Sequence, residues 1–317
     1  MHVILLGTAA GGGFPQWNCW MPTSRAARET PALAHPRLQS TVAVSADGMR
    51  WFLLNASPDV REQLSRLPVA VPTTARAVPF EGVVLTDAEI DHSLGLALLR
   101  EARRLPLWAT QSVFDILRRD SGVLRIVEAF AEVPATVLVP ETTAALTLGD
   151  GTPSGLTVTP FLVPADPPGF AREAGADHTV GLLVRTADRT LAYVPGCGDL
   201  DDALLTRLAD ADLLLFDGTF WTDDEMIRAG LSKKRAREMD HLPISGPGGS
   251  LEQLTKLPVP TKVYVHLNTT NPVLLEHSDE RRAVTRAGLL VGDDGMHFAL
   301  GATPSRARAL AGDGATA

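Results

Sequence analysis

A chain of 317 residues, 45% apolar and 21% charged, is long enough for one large domain or two small ones with a substantial core. Its net charge of −8 comes with no basic block, which argues against nucleic acid as a partner, because phosphate binding needs clustered Lys and Arg. Two cysteines, Cys19 and Cys197, build no disulfide framework, and no run of about 18 apolar residues occurs, so the expectation is a cytoplasmic chain without a membrane span.

The chain opens on His2-Val3-Ile4-Leu5-Leu6, which reads as a first strand and lacks the basic start of a signal peptide. The glycine-rich stretch GTAAGGGFPQW follows, residues 7 to 17. It suggests a phosphate cradle, but it lacks GxGxxG spacing and a Lys-Ser/Thr pair, and no helical pattern follows at once. Three glycines before Phe14-Pro15 suit a tight backbone crossing near a pocket floor. Strands 40–45 and 50–55 bracket Asp47-Gly48, a hairpin signal. Ser57-Pro58-Asp59 opens a helix over 59–66 with a cap and an early proline. Asp59 and Arg61 are candidates for holding a substrate carboxylate, or else they cap and solvate that helix. A strand over 82–86 leads into a short acidic loop. Helices are expected over 94–104 and 111–119, with a strand at 106–109 between them. Further strands at 136–139, 156–163, 179–186, 190–195, 212–216 and 262–267 combine with helices at 201–208, 223–229, 249–255 and 279–287. Residues 164–177 read as a surface loop, and the basic run Lys233-Lys234-Arg235 as a solvated helix face. This alternation predicts an α/β layered fold with mixed sheets. An Ala/Gly-rich tail over 303–317 is expected to be disordered, leaving 1–302 for the fold.

The acidic loop is the densest chemistry. In TDAEIDH, alternate residues of an extended segment point the same way, so Asp87, Glu89 and Asp91 can face one point while His92 turns in. The bland alternative is an acidic helix N-cap, since carboxylates favour that end of a helix. His266 ends an apolar strand, His241 lies between a helix and a turn, and His178 opens a strand. His241 and His266 alone are more often structural, but with His92 they make a coherent ligand set; for His178 the structural and functional readings weigh about equally. Asp217, at the end of LLLFD, is a ligand, a carboxylate that orients a histidine, or a turn residue before Gly218.

Taken together, LTDAEIDHSLGL, YVPGCG, LLLFDGTFW, MDHLPIS and VYVHLNTTNPVL carry a resemblance, with GTAAGGGFPQWNC and LLNASPDVREQ in front. From Met1 to about Leu300 the chain resembles the pyrroloquinoline quinone (PQQ) biosynthesis protein B family, of the metallo-β-lactamase fold. The resemblance implies an αββα sandwich, two mixed sheets flanked by helices, with metal at one end. The wider fold carries H-x-H-x-D-H after a strand; here Asp87 and Glu89 take the leading positions, while Asp91 and His92 remain. His266 matches the last histidine ligand, and Gly196-Cys197 stand where a bridging aspartate is frequent. Asp91, His92 and His266 resemble the two-histidine, one-carboxylate triad of non-haem iron(II) oxygenases, with His241 and His178 as further candidate ligands.

The implied cofactor is one divalent metal, Fe(II), with Mn or Zn as alternatives. The implied activity is hydroxylation of a Glu-Tyr-derived PQQ precursor. Asp87, Glu89, His241 and Asp217 would serve the chemistry, and Asp59, Arg61, Trp17 and Asn268 would hold the substrate. A non-catalytic carrier of PQQ or its precursor and a phosphodiesterase-type hydrolase are the alternatives. The partners implied are the small amino-acid-derived substrate, other proteins of the pathway and a second copy of the chain. One departure matters. Relatives often carry a Cys-x-Cys-x-x-Cys zinc site after the first motif, but Met21 and Ser24 stand there with Cys19. One thiolate cannot make a four-coordinate site, so no structural cysteine zinc is expected.

Overall fold

The computed structural model of the chain describes residues 1–69 and 76–301; the expected disordered tail lies outside the described residues. Two mixed sheets face each other, each of seven strands. The first holds β1 (His2–Gly7), β2 (Thr41–Ser45), β3 (Phe52–Leu54), β4 (Gly82–Val84), β5 (Leu107–Thr110), β6 (Ala135–Leu138) and β14 (His297–Ala299), in the order β14-β1-β2-β3-β4-β5-β6. The second holds β7 (Ala144–Thr147), β8 (Pro153–Leu162), β9 (Val180–Arg185), β10 (Thr190–Val194), β11 (Leu213–Asp217), β12 (Thr261–Val265) and β13 (Leu290–Val291), in the order β13-β12-β11-β10-β9-β8-β7. β3 to β6 run parallel, as do β10 to β13. Antiparallel meanders complete each sheet.

Both faces of the parallel strands are covered, which is why their sequences read as unbroken apolar runs. Along β11, Leu213 and Leu215 join the core between the sheets, while Leu214 and Phe216 face the outer helices. Along β3 and β4, Phe52, Leu54 and Val84 turn inward, while Leu53 and Val83 face outward. Helices α2 (Val60–Ser65), α4 (Gly95–Leu98), α5 (Gln111–Arg119) and α6 (Val123–Glu128) pack on the first sheet. Helices α1 (Pro22–Glu29), α7 (Asp202–Leu208), α9 (Ser250–Thr255) and α10 (Asp279–Arg286) pack on the second. Two short helices, α3 (Ile90–Ser93) and α8 (Glu225–Arg228), lie near the ends of strands. Side-chain caps start several of these: Thr110 accepts from the Val113 amide, Asp201 from Leu204 and Ser278 from Arg281. The hairpin between β2 and β3 turns at Asp47-Gly48, with Gly48 at φ +77° and the Asp47 carboxylate accepting the Met49 and Arg50 amides.

Several expectations are corrected. The helix read over 94–104 is one single turn, α4, after which Leu99 and Ala102 close three-residue turns. Helices α1 and α6 and strands β7, β13 and β14 carry too few periodic residues to be read locally. The inner core is continuous across the sheets, so a single large truncation there is costly. Phe52 is fully buried and meets Trp108 edge-on at 5.7 Å between centroids. Phe52→Ala is expected to lower the unfolding free energy by about 3–5 kcal/mol, read from chemical denaturation; a loss under about 1 kcal/mol, the order of a surface change, would contradict this packing.

Candidate metal centre

Parallel strands deliver their C-terminal ends to one edge, where open α/β sheets build sites. Asp87 leaves β4 through Leu85 and Thr86. Its carboxylate accepts the Thr86 hydroxyl at 2.7 Å and the Glu89 amide at 2.9 Å. Both oxygens also lie against His92 Nδ1, at 2.9 and 2.8 Å. Asp87 therefore braces His92 from behind and puts the hydrogen on Nδ1. The opposite nitrogen, His92 Nε2, is buried and has no hydrogen-bond partner. Glu89 sits at the N-cap of α3, yet its side chain makes no cap hydrogen bond, so the loop is not a simple acidic cap.

From the second sheet, His266 leaves β12 with a left-handed φ of +59°, a conformation costly for a side-chain-bearing residue and concentrated at functional sites. Its Nε2 stands 3.0 Å from Asp91 Oδ2, although the two residues are 175 positions apart. The His92 and His266 ring centroids are 5.1 Å apart, and one ligand atom each from Asp91, His92 and His266 lie within 4.8 Å of one another. His241 stacks on His266 at 5.2 Å and places Nδ1 2.8 Å from Asp217 Oδ2. Asp217, His241 and His266 form an adjoining group of the same size. Gly11 lies beside the centre, where a Cβ would stand 3.4 Å from Asp91 Oδ2, in ordinary contact.

The electrostatics follow from this crowding. Burial alone would lower the His92 pKa, but Asp87 and Asp91 outweigh it and push the imidazole up to about 9. Burial would raise Asp91, yet the charge of His92 and the His266 hydrogen bond hold it well below the usual carboxylate range. Glu89 is exposed, but desolvation against the centre, then the charges of Asp87 and Asp91, push it up to about 7, while His92 and His241 pull the other way. His241 is raised because Asp217 outweighs its burial.

A divalent cation fits these residues. An orphaned, buried Nε2 on His92 costs about 1–3 kcal/mol unless something binds it. Two imidazoles and a carboxylate converge without an intervening lysine or arginine among the described hydrogen bonds. Asp91, His92 and His266 would hold the ion, with Asp87 and the Asp217–His241 pair behind. Asp87→Ala removes the brace on His92 and is expected to weaken metal binding about 10–100-fold. Titration with cobalt(II), followed by absorption, checks this; unchanged affinity would show that His92 is oriented by something else.

Other expected site residues lie elsewhere. His178 Nδ1 meets its neighbour Thr179 at 2.9 Å, and His178 belongs to neither group of converging ligand atoms. Asp59 is occupied in the fold: Oδ2 accepts the Gln39 amide and side chain at 2.8 and 3.1 Å. Arg61 is exposed and lines a cleft of about 1320 Å³ with Leu64, Phe80 and Arg100. Trp17 is exposed on the glycine-rich loop, and Asn268 donates to Thr270 Oγ1 at 2.6 Å and to the Met226 sulfur. Met21 and Ser24 lie at the start of α1, where Thr23 and Ser24 bond Thr269 at 2.6 Å each. Cys197 is fully buried, and burial pushes its thiol up to about 12. Sequence reasoning missed Thr86 and Thr219. The signal was present in TDA and DGT, a threonine within two positions of each bracing aspartate.

Residues 50–267 match the Beta-lactamase superfamily domain. A curated relative from Gluconacetobacter diazotrophicus, named coenzyme PQQ synthesis protein B, is 44% identical over 94% of this chain and 99% of its own. One of the same name from Methylobacterium nodulans is 43% identical over 95% and 100%. The crystal structure of Zn(2+)-bound PqqB from Methylobacterium extorquens superposes with a TM-score of 0.87 at 39% identity, covering 95% of this chain and all of that one. A diphosphatase of the PhnP family shares the fold, at TM-score 0.64 and 18% identity. None of the helices among the described residues is long and apolar enough to cross a membrane. With two facing mixed sheets, a histidine–carboxylate centre at their shared edge and near-full-length relatives of one name, the chain belongs to the coenzyme PQQ synthesis protein B family of the β-lactamase superfamily.

Proposed function

We propose that this protein acts in PQQ biosynthesis as a metal-dependent oxygenase, using iron(II) to hydroxylate a small Glu-Tyr-derived precursor. The observation that carries this reading is the donor set: two imidazoles and one carboxylate around one point, with carboxylates Asp87 and Glu89 where a hydrolytic site of this fold has imidazoles. Oxygen-rich, harder surroundings favour Fe(II) or Mn(II) over soft-ligand metals, although raw affinity still favours zinc. Bound iron would supply activation of dioxygen, one oxygen atom passing to the substrate and the other leaving as water with two electrons from an external reductant. The chain's own residues do the rest. Asp87 holds His92 in one orientation, Asp217 holds His241, and Glu89, exposed at the lip of the centre, is a carboxylate that can exchange a proton near neutrality. The zinc named in the Methylobacterium extorquens structure supports metal binding in this family, and zinc can occupy a site whose working metal differs.

One observation favours a second reading. Asp217, His241 and His266 adjoin the first group, and two neighbouring cations could serve hydrolysis of a phosphodiester. Loading the protein anaerobically with iron(II), then adding oxygen and a tyrosine-derived substrate, separates the two. The oxygenase reading expects substrate-dependent oxygen consumption and one metal per chain by elemental analysis. Phosphodiester turnover with zinc or manganese, and no oxygen uptake with iron, would replace it with the hydrolase. Tight quinone binding without turnover of either kind would leave a carrier.

A further inference from the structure

Thr219 follows β11 by two residues, is 3% exposed, and makes contacts that demand a proton count. Its Oγ1 lies 2.6 Å from Asp217 Oδ1, 2.8 Å from His266 Nδ1 and 2.8 Å from the His266 carbonyl. A hydroxyl has one hydrogen to donate and two lone pairs to offer. The carboxylate is both the nearest acceptor and the charged one, so it takes the hydrogen in preference to the neutral carbonyl. With that hydrogen committed, the contact with His266 Nδ1 is favourable only if the ring donates.

We propose that Thr219 is a positioning residue that sets the tautomer of His266. Nδ1 carries the hydrogen and donates to Thr219, which leaves the Nε2 lone pair aimed at Asp91. Nε2 and Asp91 Oδ2, 3.0 Å apart, are then two acceptors side by side, an arrangement that calls for a cation bound to both from one side. The same hydroxyl reaches the second arm of the site. Through Asp217, whose other oxygen lies 2.8 Å from His241 Nδ1, Thr219 couples the two imidazoles that stack at 5.2 Å. Thr86 does the same for one arm only, binding Asp87 behind His92. The inference rests on the metal-centre reading of Asp91, His92 and His266 and is independent of the oxygen chemistry.

A purely local role for Thr219 would be the turn in which its amide donates to Asp217 Oδ1 at 3.0 Å, and that bond survives any side-chain change. Thr219→Val keeps the shape and the amide but removes the hydroxyl; Thr219→Ser keeps the hydroxyl. The experiment uses zinc as the probe, with nitrogen-15 NMR of the histidine rings. In wild type, His266 is expected to bind zinc through Nε2 with a hydrogen on Nδ1. Thr219→Val is expected to weaken zinc binding about 10–100-fold, the size typical of outer partners of a ligand histidine, and Thr219→Ser to restore it. Zinc bound through Nδ1 in wild type overturns the proposal. So does wild-type affinity in Thr219→Val, or a loss in Thr219→Ser as large as in the valine variant. Should the valine variant fail to fold, the wild-type spectrum and the serine variant still decide. Because zinc binding is read without turnover, failure of the oxygenase reading leaves this result standing.

Discussion

His92→Ala and His266→Ala are each expected to lose the metal while the chain keeps its fold. Each removes one of two imidazoles from a three-residue group; His241 belongs to the adjoining group with Asp217, and His178 lies outside both. His266→Ala also deletes the only contact joining Asp91 to the second sheet that the hydrogen bonds record, so the carboxylate loses its position as well as its partner. The fold survives because the strands bury three hydrophobic clusters that do not depend on the site. A metal at the edge of such a core is unlike the ion of a zinc finger, where metal binding is folding. In His92→Ala, Asp87 keeps the Thr86 hydroxyl and the Glu89 amide, which limits the stability cost to about 1–3 kcal/mol. Elemental analysis and thermal unfolding check both halves. Full metal content in either variant would overturn the ligand set, and His178→Ala is expected to retain the metal.

Arg37→Met is expected to cost about 3–5 kcal/mol near pH 8, the penalty for stripping a buried charge of its partner, and less near pH 5. The Arg37 side chain is wholly buried beneath the loop after β13. It donates to Thr8 Oγ1 at 3.1 Å and to the Gly292 carbonyl, and lies 3.3 Å from Asp293, while Nε and Nη2 have no partner. Burial lowers the Arg37 pKa, and Asp293 and Asp294 return part of that loss. Asp294 is the group that makes the effect depend on pH. Burial pushes it up to about 6, against the Leu38 amide, Arg37 and Thr8. A carboxyl with a raised folded pKa stabilises the fold below its unfolded value, about 4, and that contribution is lost as pH rises through 6. Without Arg37 the folded value moves higher still, so the loss continues above 6 and the deficit grows with pH. Arg66 Nη1, 3.5 Å from Asp294 Oδ2, softens the effect without replacing a buried guanidinium. Urea unfolding at pH 5 and pH 8 tests this, and a deficit that is equal at both would count against the coupling. The same cation bears on His35, Glu276 and Asp293, which converge nearby: Arg37 already neutralises Asp293, so a second cation there would be repelled.

The alternation of strands and helices, the hairpin at Asp47-Gly48 and the chemistry of the 87–92 loop are legible in the chain without its fold. Periodicity and turn residues are local, and a buried parallel strand such as Leu213–Asp217 announces itself by an unbroken apolar run. His266 could likewise be placed at a strand exit from KVYVH alone. Tertiary structure alone decided what those residues meet. That His266 faces Asp91 depends on β4 and β12 lying in opposed sheets with their ends at one edge, a relation with no local signature across 175 residues. Whether Asp87 is a ligand or a brace depended on which way its carboxylate turned, and Thr86 and the Glu89 amide turned it toward His92 Nδ1. Asp59 looked free in NASPDVR because Gln39, which occupies it, lies twenty positions away. The 94–104 segment has a helical composition, yet it tightens into short turns where α4 packs on α2 and α6, so packing overrode propensity. Thr219 shows the same division most sharply: its type and its place after Asp217 are written in the chain, but its one hydrogen acquires meaning only where a carboxylate, a carbonyl and an imidazole nitrogen surround it.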